Sequence, residues 1–414
     1  MKKYIILTNT IGRIGGAQIY SRNKKIFLEE KGWEVEIISF IKGNIYIEDL
    51  KEYDKNVIGE LRHPPSLFTK VKKEKIISKI VGDSDYCDYI ETIVESHTIN
   101  LSLWGELIAE RIEGQHIAYI LTEEFGNLNK DKLQFLDFKH KRKELAGIVE
   151  KSLELLFMGY KKLKKKEKYF LKASCTNVVD DVEDTIIKKI ERKDINIACI
   201  TRLDKKYVIP LIDGIIDFAN DNKDKSIQFV FIGGGYNEKK IDIIKDKVKK
   251  IGNLDIFITG FLYPIPRNIF KKFDLFIGVS GSAKVSAREG VLTLGVDYKT
   301  AKPISLVRYG SNTLYADNSS SISLKEKLNQ ILIYEKKIET EIINSKFPEN
   351  NFKKKYKTHM KFINKSSKKK LYYDINNIKA TKKDILKRAV YFIPIKFLRQ
   401  KLLGWYFKIK NIRL

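Results

Sequence analysis

The stretch Thr201-Arg202-Leu203-Asp204-Lys205-Lys206 directly follows the apolar run INIACI. If that run is a strand, Arg202 and the lysines sit at its C-terminal end, the edge where open α/β sheets take their ligands. A guanidinium fork and an ammonium point charge in that place suit a diphosphate, Arg202 acting with either Lys205 or Lys206. The plainer reading is a surface ion pair with Asp204. Three small-residue turns offer similar chemistry from the backbone: Gly12-Arg13-Ile14-Gly15-Gly16, Gly233-Gly234-Gly235 and Gly278-Val279-Ser280-Gly281-Ser282-Ala283, each after an apolar run. Glycine lets the main chain approach an anion, and a helix starting near Gly15-Gly16 or Gly281-Ser282 directs free N–H groups at a phosphate. The first loop lacks the GxGxxG spacing, and no GK[ST] follows it, so it is no Walker loop. Glu289 either accepts ribose hydroxyls or caps the next loop.

Such residues work only if elements hold them at strand ends. YIILT suits a buried strand, the glycine loop follows, residues 17–31 carry a helical pattern, and WEVEIISF is a second strand. That order opens a doubly wound sheet. YIETIVES, LSLWGELIAERI and HIAYILT continue as strand, helix and strand. Residues 133–169 read as helical and lysine-rich, CTNVV as a last strand of this half, and 180–194 as helix and hinge. At Ile195 the pattern restarts: INIACITRL, VIPLIDGIIDFAN, IQFVFIGGG, IDIIKDKVKKI, LDIFITGF, FDLFIGVSG, SAKVSAREG and VLTLGVD alternate strand and helix. The expected class is α/β with two Rossmann-like, doubly wound parallel sheets. The expected domains are residues 1–190, 195–335, and a helical, basic segment 336–414, with a cleft between the first two.

Composition narrows the partners. With 43% hydrophobic residues each domain can bury a core. The net charge of +27 calls for an acidic partner, and the cations concentrate at 161–172 and at the C-terminus, where Asp374 and Asp384 are the only acids after Asn351. No DNA- or RNA-binding module accompanies them, which argues against nucleic acid. Three cysteines without a CxxC pair fit a reduced compartment and speak against a zinc site. The apolar run at the N-terminus is too short for a secretory core, and no stretch approaches the roughly 20 apolar residues of a membrane span.

Taken in order, IGRIGGAQ with KGWEVEII, TRLDKK, FVFIGGG, ITGF and DLFIGVSGSAKVSAREGV resemble a GT-B glycosyltransferase of the family 4 kind, over Lys3 to about Leu332. The resemblance implies retaining transfer of a sugar from a nucleotide diphosphate, without a metal or a cofactor, in bacterial surface-polysaccharide or capsule synthesis. The donor is a UDP-sugar by that resemblance, with a GDP-sugar as the other choice. It implies donor binding by the second half and acceptor binding by the first. Carried over, Gly16 meets the donor phosphate, Arg202 with Lys206 neutralises the diphosphate, Leu262 in Gly260-Phe261-Leu262 seats the base, and His97 lies near the sugar. The family's two glutamates seven residues apart are missing: Gly278 and Ser286 stand in their places.

Growing charge on the leaving phosphate would be met by Arg202, Lys206 and the helix start at Gly281-Ser282. Glu123 and Glu124, at a strand end of the first half, would line the acceptor pocket. Aromatic residues interleaved with lysine and arginine between Tyr391 and Lys410 suit an anionic bilayer, where lipid-linked acceptors reside. Part of that segment could instead fold back on the first domain. The expected protein is cytoplasmic and peripheral at the inner face of the membrane. Two other readings share the architecture: a scaffold that lost turnover, and a sugar-nucleotide epimerase.

Overall fold

The chain divides into two compact units, Met1–Ser174 with Asn351–Leu414, and Cys175–Asn350. The structure is a computed structural model, and it describes residues 1–82, 89–121, 128–235, 238–316, 322–334, 352–367 and 369–392. Glu123, Glu124, Cys87 and the aromatic tail from 393 onward lie outside the described residues. Among the described residues no helix is long and apolar enough to cross a membrane.

The first unit is built on β1 (Lys2–Thr8), α1 (Gly16–Glu29), β2 (Trp33–Ser39), α2 (Lys70–Val81), β3 (Glu91–Ser96), α3 (Ile99–Arg111), β4 (Gln115–Ile120), α4 (Lys130–Lys141), β5 (Leu145–Gly147) and α5 (Ser152–Leu156). Its five strands are parallel in the order β2-β1-β3-β4-β5. The order reverses between β1 and β3, and that switch point is where an open α/β sheet leaves a crevice. Alternation assigns the two faces. Ile5, Leu7 and Val94 turn toward Ile77, Trp104 and Ile108 of α2 and α3, whereas Tyr4 and Glu95 face α1.

The second unit contains β6 (Val179–Asp180), β7 (Ile195–Ile200), α6 (Val208–Asp221), β8 (Ile227–Ile232), α7 (Glu238–Val248), β9 (Leu254–Ile258), β10 (Ile265–Pro266), β11 (Leu275–Gly278), α8 (Gly281–Arg288), β12 (Thr293–Val296), β13 (Pro303–Leu306) and α9 (Leu324–Asn329). Its main sheet runs β13-β12-β11-β7-β8-β9, parallel except for β13. Every residue of β7 and β8 is buried, as expected of strands covered on both faces. Ile195, Ile197 and Cys199 join one core with Phe229 and Phe231; Ala198 and Ile200 join the other with Val230 and Ile232. Here the switch point falls between β7 and β11.

Several sequence expectations change. The lysine-rich stretch 133–169 is not one helix: α4 ends at Lys141, and β5 and α5 follow. CTNVV adds no strand to the first sheet; Val179 pairs with Ile265 in the second unit. Residues 180–194 hold the end of β6 at Asp180 and only a short turn of 3-10 helix, Thr185–Lys189. The division falls after Ser174, because this segment is tied to β10.

The C-terminal region returns to the first unit through α10 (Phe352–Lys365) and α11 (Lys382–Tyr391). Tyr356 of α10 packs against Tyr20 and Phe27. Arg62 lies over Tyr391 at 4.2 Å, and Arg388 over Phe68 at 4.4 Å. A capping box starts α11: Asp384 N donates to Thr381 Oγ1 at 3.1 Å, and Thr381 N donates to Asp384 Oδ2 at 3.1 Å. Lys132 of α4 donates to the same carboxylate at 3.1 Å. Thr381→Ala is therefore expected to cost about 1 kcal/mol in a denaturant titration, with the loss confined to the first unit.

Candidate functional site

In the second unit, three strand ends are packed into one platform. Leu203 N donates to Gly234 O at 3.0 Å, tying the turn after β7 to the turn after β8. Gly233 adopts φ +148°, and a Cβ there would fall on the Thr201 carbonyl, so only glycine fits. Gly233 also bridges to Gly260, while a Cβ on Gly234 would come within 2.8 Å of the Phe261 ring. Leu262 follows, half-buried against the core. Arg202 Nε lies 3.3 Å from Asp204 Oδ1, with both side chains about a third exposed. Lys205 and Lys206 are exposed.

Next to this platform, across the switch point, stands the β11–α8 turn. Leu275 is level with Ile197 and Phe276 with Ala198, so Gly278 reaches the height of Ile200. The turn is tight. A Cβ on Gly278 would meet Ala283 at 2.8 Å, so the position takes no side chain, least of all a glutamate. Ser280 takes φ +54° and ψ −120°, strained for a residue with a Cβ. It is held by Ser280 N donating to Thr313 O at 2.6 Å. Ser282 Oγ turns back to Val279 O at 2.9 Å. Ser286 is buried, with Thr293 Oγ1 3.0 Å from its Oγ. What remains for a ligand is the N-terminal end of α8, whose first N–H groups have no carbonyl within the helix.

The structure brings Arg202, Lys205, Lys206, Gly234, Leu262, Gly281 and Ser282 to one sheet edge. It does not bring Glu289 there. That carboxylate pairs with Arg267, which also binds Asp181 at 3.0 Å. It lines a groove of about 400 Å³ with Phe273, Asp274 and Leu292, at the N-terminal ends of β11 and β12. A cation missed in the sequence joins the platform instead. Lys240, from the first turn of α7, donates to Lys205 O at 2.7 Å. Its pKa is lowered by partial burial, against the pull of Asp204. Nothing in the sequence singled it out among so many lysines.

In the first unit the glycine loop closes the end of β1. Ile11, Gly12 and Ile14 are buried, and a Cβ on Gly12 would fall on the Gly43 carbonyl. Gln18 Nε2 donates to Thr10 O at 2.6 Å. Gly15 is the N-cap of α1 and Gly16 its first residue. Across the switch point, His97 follows β3, its backbone N donating to Leu7 O at 3.1 Å.

Beneath His97 lies a buried charge network. The Glu95 carboxylate accepts from Tyr4 Oη at 2.6 Å, Tyr20 Oη at 2.7 Å and His97 Nε2 at 3.0 Å, with Lys24 Nζ 3.5 Å away. Glu95, His97 and Lys24 are all at most 2% exposed. Burial alone would raise the Glu95 pKa, but Lys24, His97 and Tyr4 outweigh it and hold the group ionised, well below the carboxylate range. Burial, then the Glu95 charge, push the Tyr4 and Tyr20 phenols well above their usual value. The sequence showed Glu95 only as one of two glutamates, with Glu91, in the run YIETIVES.

A second buried cluster has the order of a nucleophilic triad. Ser96 Oγ is 2.8 Å from His116 Nε2, and His116 Nδ1 is 2.7 Å from Glu106 Oε2. It is no site, because Ser96 and Glu106 are fully buried and His116 is 2% exposed. Lys139 bridges Glu106 at 2.8 Å and Glu144 at 2.7 Å, completing an internal ion network. A cavity of about 800 Å³ opens beside it, at the N-terminal ends of β3 and β4. That is the edge opposite the switch-point crevice, and Lys139, Arg142 and Lys370 in its wall are engaged by Glu144 and Glu113. Among the described residues no group of three His, Cys, Asp or Glu is arranged to hold a metal ion.

No family model matches the chain, and no curated protein matches it. Solved structures do. The glycosyltransferase from Rickettsia africae is 12% identical, with 88% of this chain and 98% of that chain covered at a TM-score of 0.56. Anabaena HepE in complex with UDP and glucose is 12% identical, with 87% and 99% covered at 0.57. The Escherichia coli trehalose-6-phosphate protein bound with UDP-2-fluoro glucose is 12% identical, with 90% and 96% covered at 0.50. At such identity the likeness is one of fold. The chain has the GT-B architecture: two Rossmann-like parallel-sheet units with a helical C-terminal region.

Proposed function

We propose that the protein is a glycosyltransferase that takes a sugar from a nucleotide diphosphate donor, UDP-linked, and passes it to a lipid-linked saccharide with retention of configuration. The observation that carries this reading is the convergence of Arg202, Lys205, Lys206 and the α8 N-terminus at the β7/β11 switch point. Fixed cations and backbone N–H groups meet the charge that grows on the leaving diphosphate and lower the barrier. Lys240 holds the Lys205 backbone in place. Gly15, Gly16 and His97 stand at the corresponding crevice of the first unit, where the two glycines serve the donor phosphate and His97 the sugar, with Glu123 and Glu124 assigned to the acceptor. HepE and the E. coli protein were captured with UDP or a UDP-sugar, which supports uridine as the base.

The α11 surface supports work at an anionic membrane face, as in surface-polysaccharide or capsule synthesis. Ile385, Leu386 and Phe392 are 55%, 50% and 73% exposed beside exposed Lys382 and Lys383. A second reading, a scaffold without turnover, draws on the β11–α8 turn, where Gly278 and Ser286 leave no carboxylate.

The deciding experiment is donor turnover by purified protein over UDP- and GDP-sugars, with and without anionic vesicles carrying lipid extract. One donor is expected to be consumed, and Arg202→Ala to lower the rate about 10²-fold. Nucleotide binding that depends on Arg202 without any turnover would support the scaffold. No nucleotide binding at all would overturn both readings.

A further inference from the structure

We propose that residues 147–172 form a docking surface for an anionic lipid bilayer, with lysines over the headgroups and Met158 and its apolar neighbours set between them. The segment is an appendage on β5, the edge strand of the first sheet. Gly147 N donates to Tyr169 O at 3.1 Å and Leu171 N donates to Gly147 O at 2.9 Å, so both ends of the segment close on one residue. Between them Leu153, Leu156, Phe157 and Leu163 join the core of Ala118 and Ile120 of β4 and Phe135 and Leu136 of α4.

What remains faces water. Leu153 and Leu156 of α5 turn inward, which leaves Leu155 on the outer face. Met158 is 75% exposed, and Val149, Tyr160 and Phe170 are exposed with it. Exposed apolar side chains grouped on one segment and rimmed by polar groups mark an interaction surface. Interleaved with them along the chain are Lys151, Lys162, Lys165, Lys166 and Lys172, all exposed and none with a carboxylate partner among the described residues. The acids of the segment are largely engaged elsewhere. Lys168 holds Glu154, Glu167 accepts from the Lys164 backbone N at 2.8 Å, and Glu150 alone is left against these lysines.

This mixture selects the partner. Arginine is the residue that forks phosphates in nucleic-acid and phosphopeptide sites, and residues 147–172 contain none. Lysine is a compact charge on a long apolar stem, so it reaches a headgroup while its stem lies along hydrocarbon. Such charges with a thioether and aromatic rings between them suit the surface of an anionic bilayer. A soluble polyanion would have no use for Leu155 or Met158. Val149 lies just past the C-terminal end of β5, two strands from the switch point and on the edge where the first unit's crevice opens. Ile375 and Ile378, which lead into α11, share the core of Leu153 and Phe157, so one core carries both basic surfaces.

The test is sedimentation of the full chain with vesicles of phosphatidylcholine, alone or mixed with phosphatidylglycerol. Binding is expected on the mixed vesicles only. Lys162→Gln with Lys165→Gln and Lys166→Gln should weaken it about 10²-fold, at about fivefold per lysine. Leu155→Asp with Met158→Asp should weaken it about tenfold. These positions are all exposed, so both variants should unfold in urea at the wild-type midpoint. No binding by the wild-type chain, or wild-type affinity in the lysine variant, would overturn the proposal; the second result would make α11 the docking element. Loss in the lysine variant without loss in the Leu155 and Met158 variant would overturn the bilayer as the partner and make the segment a polyanion site. Vesicle binding needs no donor, so a chain that docks as stated but consumes no sugar nucleotide refutes the transfer reading alone.

Discussion

Lys24→Met is expected to cost the first unit about 3–5 kcal/mol, the penalty for leaving one charge of a buried pair behind. The side chain is completely buried, 3.5 Å from Glu95, and its own pKa is lowered by that burial against the pull of the carboxylate. Its Nζ also lies 5.2 Å from the Tyr4 ring centroid and 5.5 Å from that of Tyr356, so the substitution loosens α10 as well. Removing both charges, in Lys24→Met with Glu95→Gln, should recover most of the loss, because an amide leaves no ion to desolvate. Urea unfolding followed by tryptophan fluorescence isolates the effect, since Trp33 and Trp104 belong to the first unit and residues 175–350 contain no tryptophan. If the single variant loses no more than the double one, Lys24 is not the counter-ion that keeps Glu95 charged.

This network marks where the sequence stops being readable. The apolar runs located β1–β4, β7–β9, β11 and β12, and most plainly β7 and β8, which are buried on both faces and carry no polar residue that interrupts the pattern except Asn196 and Gln228. The switch-point residues were readable for the same reason: Arg202 and Gly281 stand just after such runs, and parallel topology puts run ends at one edge. Glu95 was not, because a glutamate between Val94 and Ser96 announces burial only once Lys24, Tyr4 and Tyr20 converge on it from other elements. Contacts spanning 75 and 91 residues have no local signature.

The lysine-rich stretch misled for a different reason. Leucine and lysine have high helix propensity, yet Gly147 packs its α-carbon against Ser152 and bonds Leu171 and Tyr169, which converts the segment into a strand and short turns. Tertiary pairing overrode propensity. Glu289 shows the limit of spacing arguments. It stands near the glycine turn in sequence, but α8 runs back along the sheet and delivers it to the opposite edge, where Arg267 takes it.

Between pH 7 and pH 5 the first unit is expected to lose about 4 kcal/mol, through two buried histidines that must stay neutral. His359 is lowered to about 3, first by burial and then by the Lys24 charge, against Glu95 and its bond to Lys172 O. His63 is lowered to about 4 by burial and by Arg62, Arg388 and Lys387, against Asp384. In the unfolded chain both protonate near the ordinary value of about 6.5. Their contribution is complete above that pH and is lost as the pH falls toward 4 and 3, at about 1.4 kcal/mol per unit for each. His116, lowered by burial and Lys139, acts in the same direction. The carboxylates add their own loss only further down, Glu106 being held at about 2 by Lys139 and His116 against its burial. Tryptophan-detected urea curves at the two pH values check the slope, and His359→Gln should remove about 2 kcal/mol of the loss. An unaltered slope in that variant would place the acid sensitivity elsewhere. Both histidines lie under the returning C-terminal helices, His359 on α10 and His63 against Tyr391 of α11 at 5.4 Å. Acid should therefore free α10 and α11 before the β1–β5 sheet gives way, and proteolysis at pH 5 should cut first beyond residue 351.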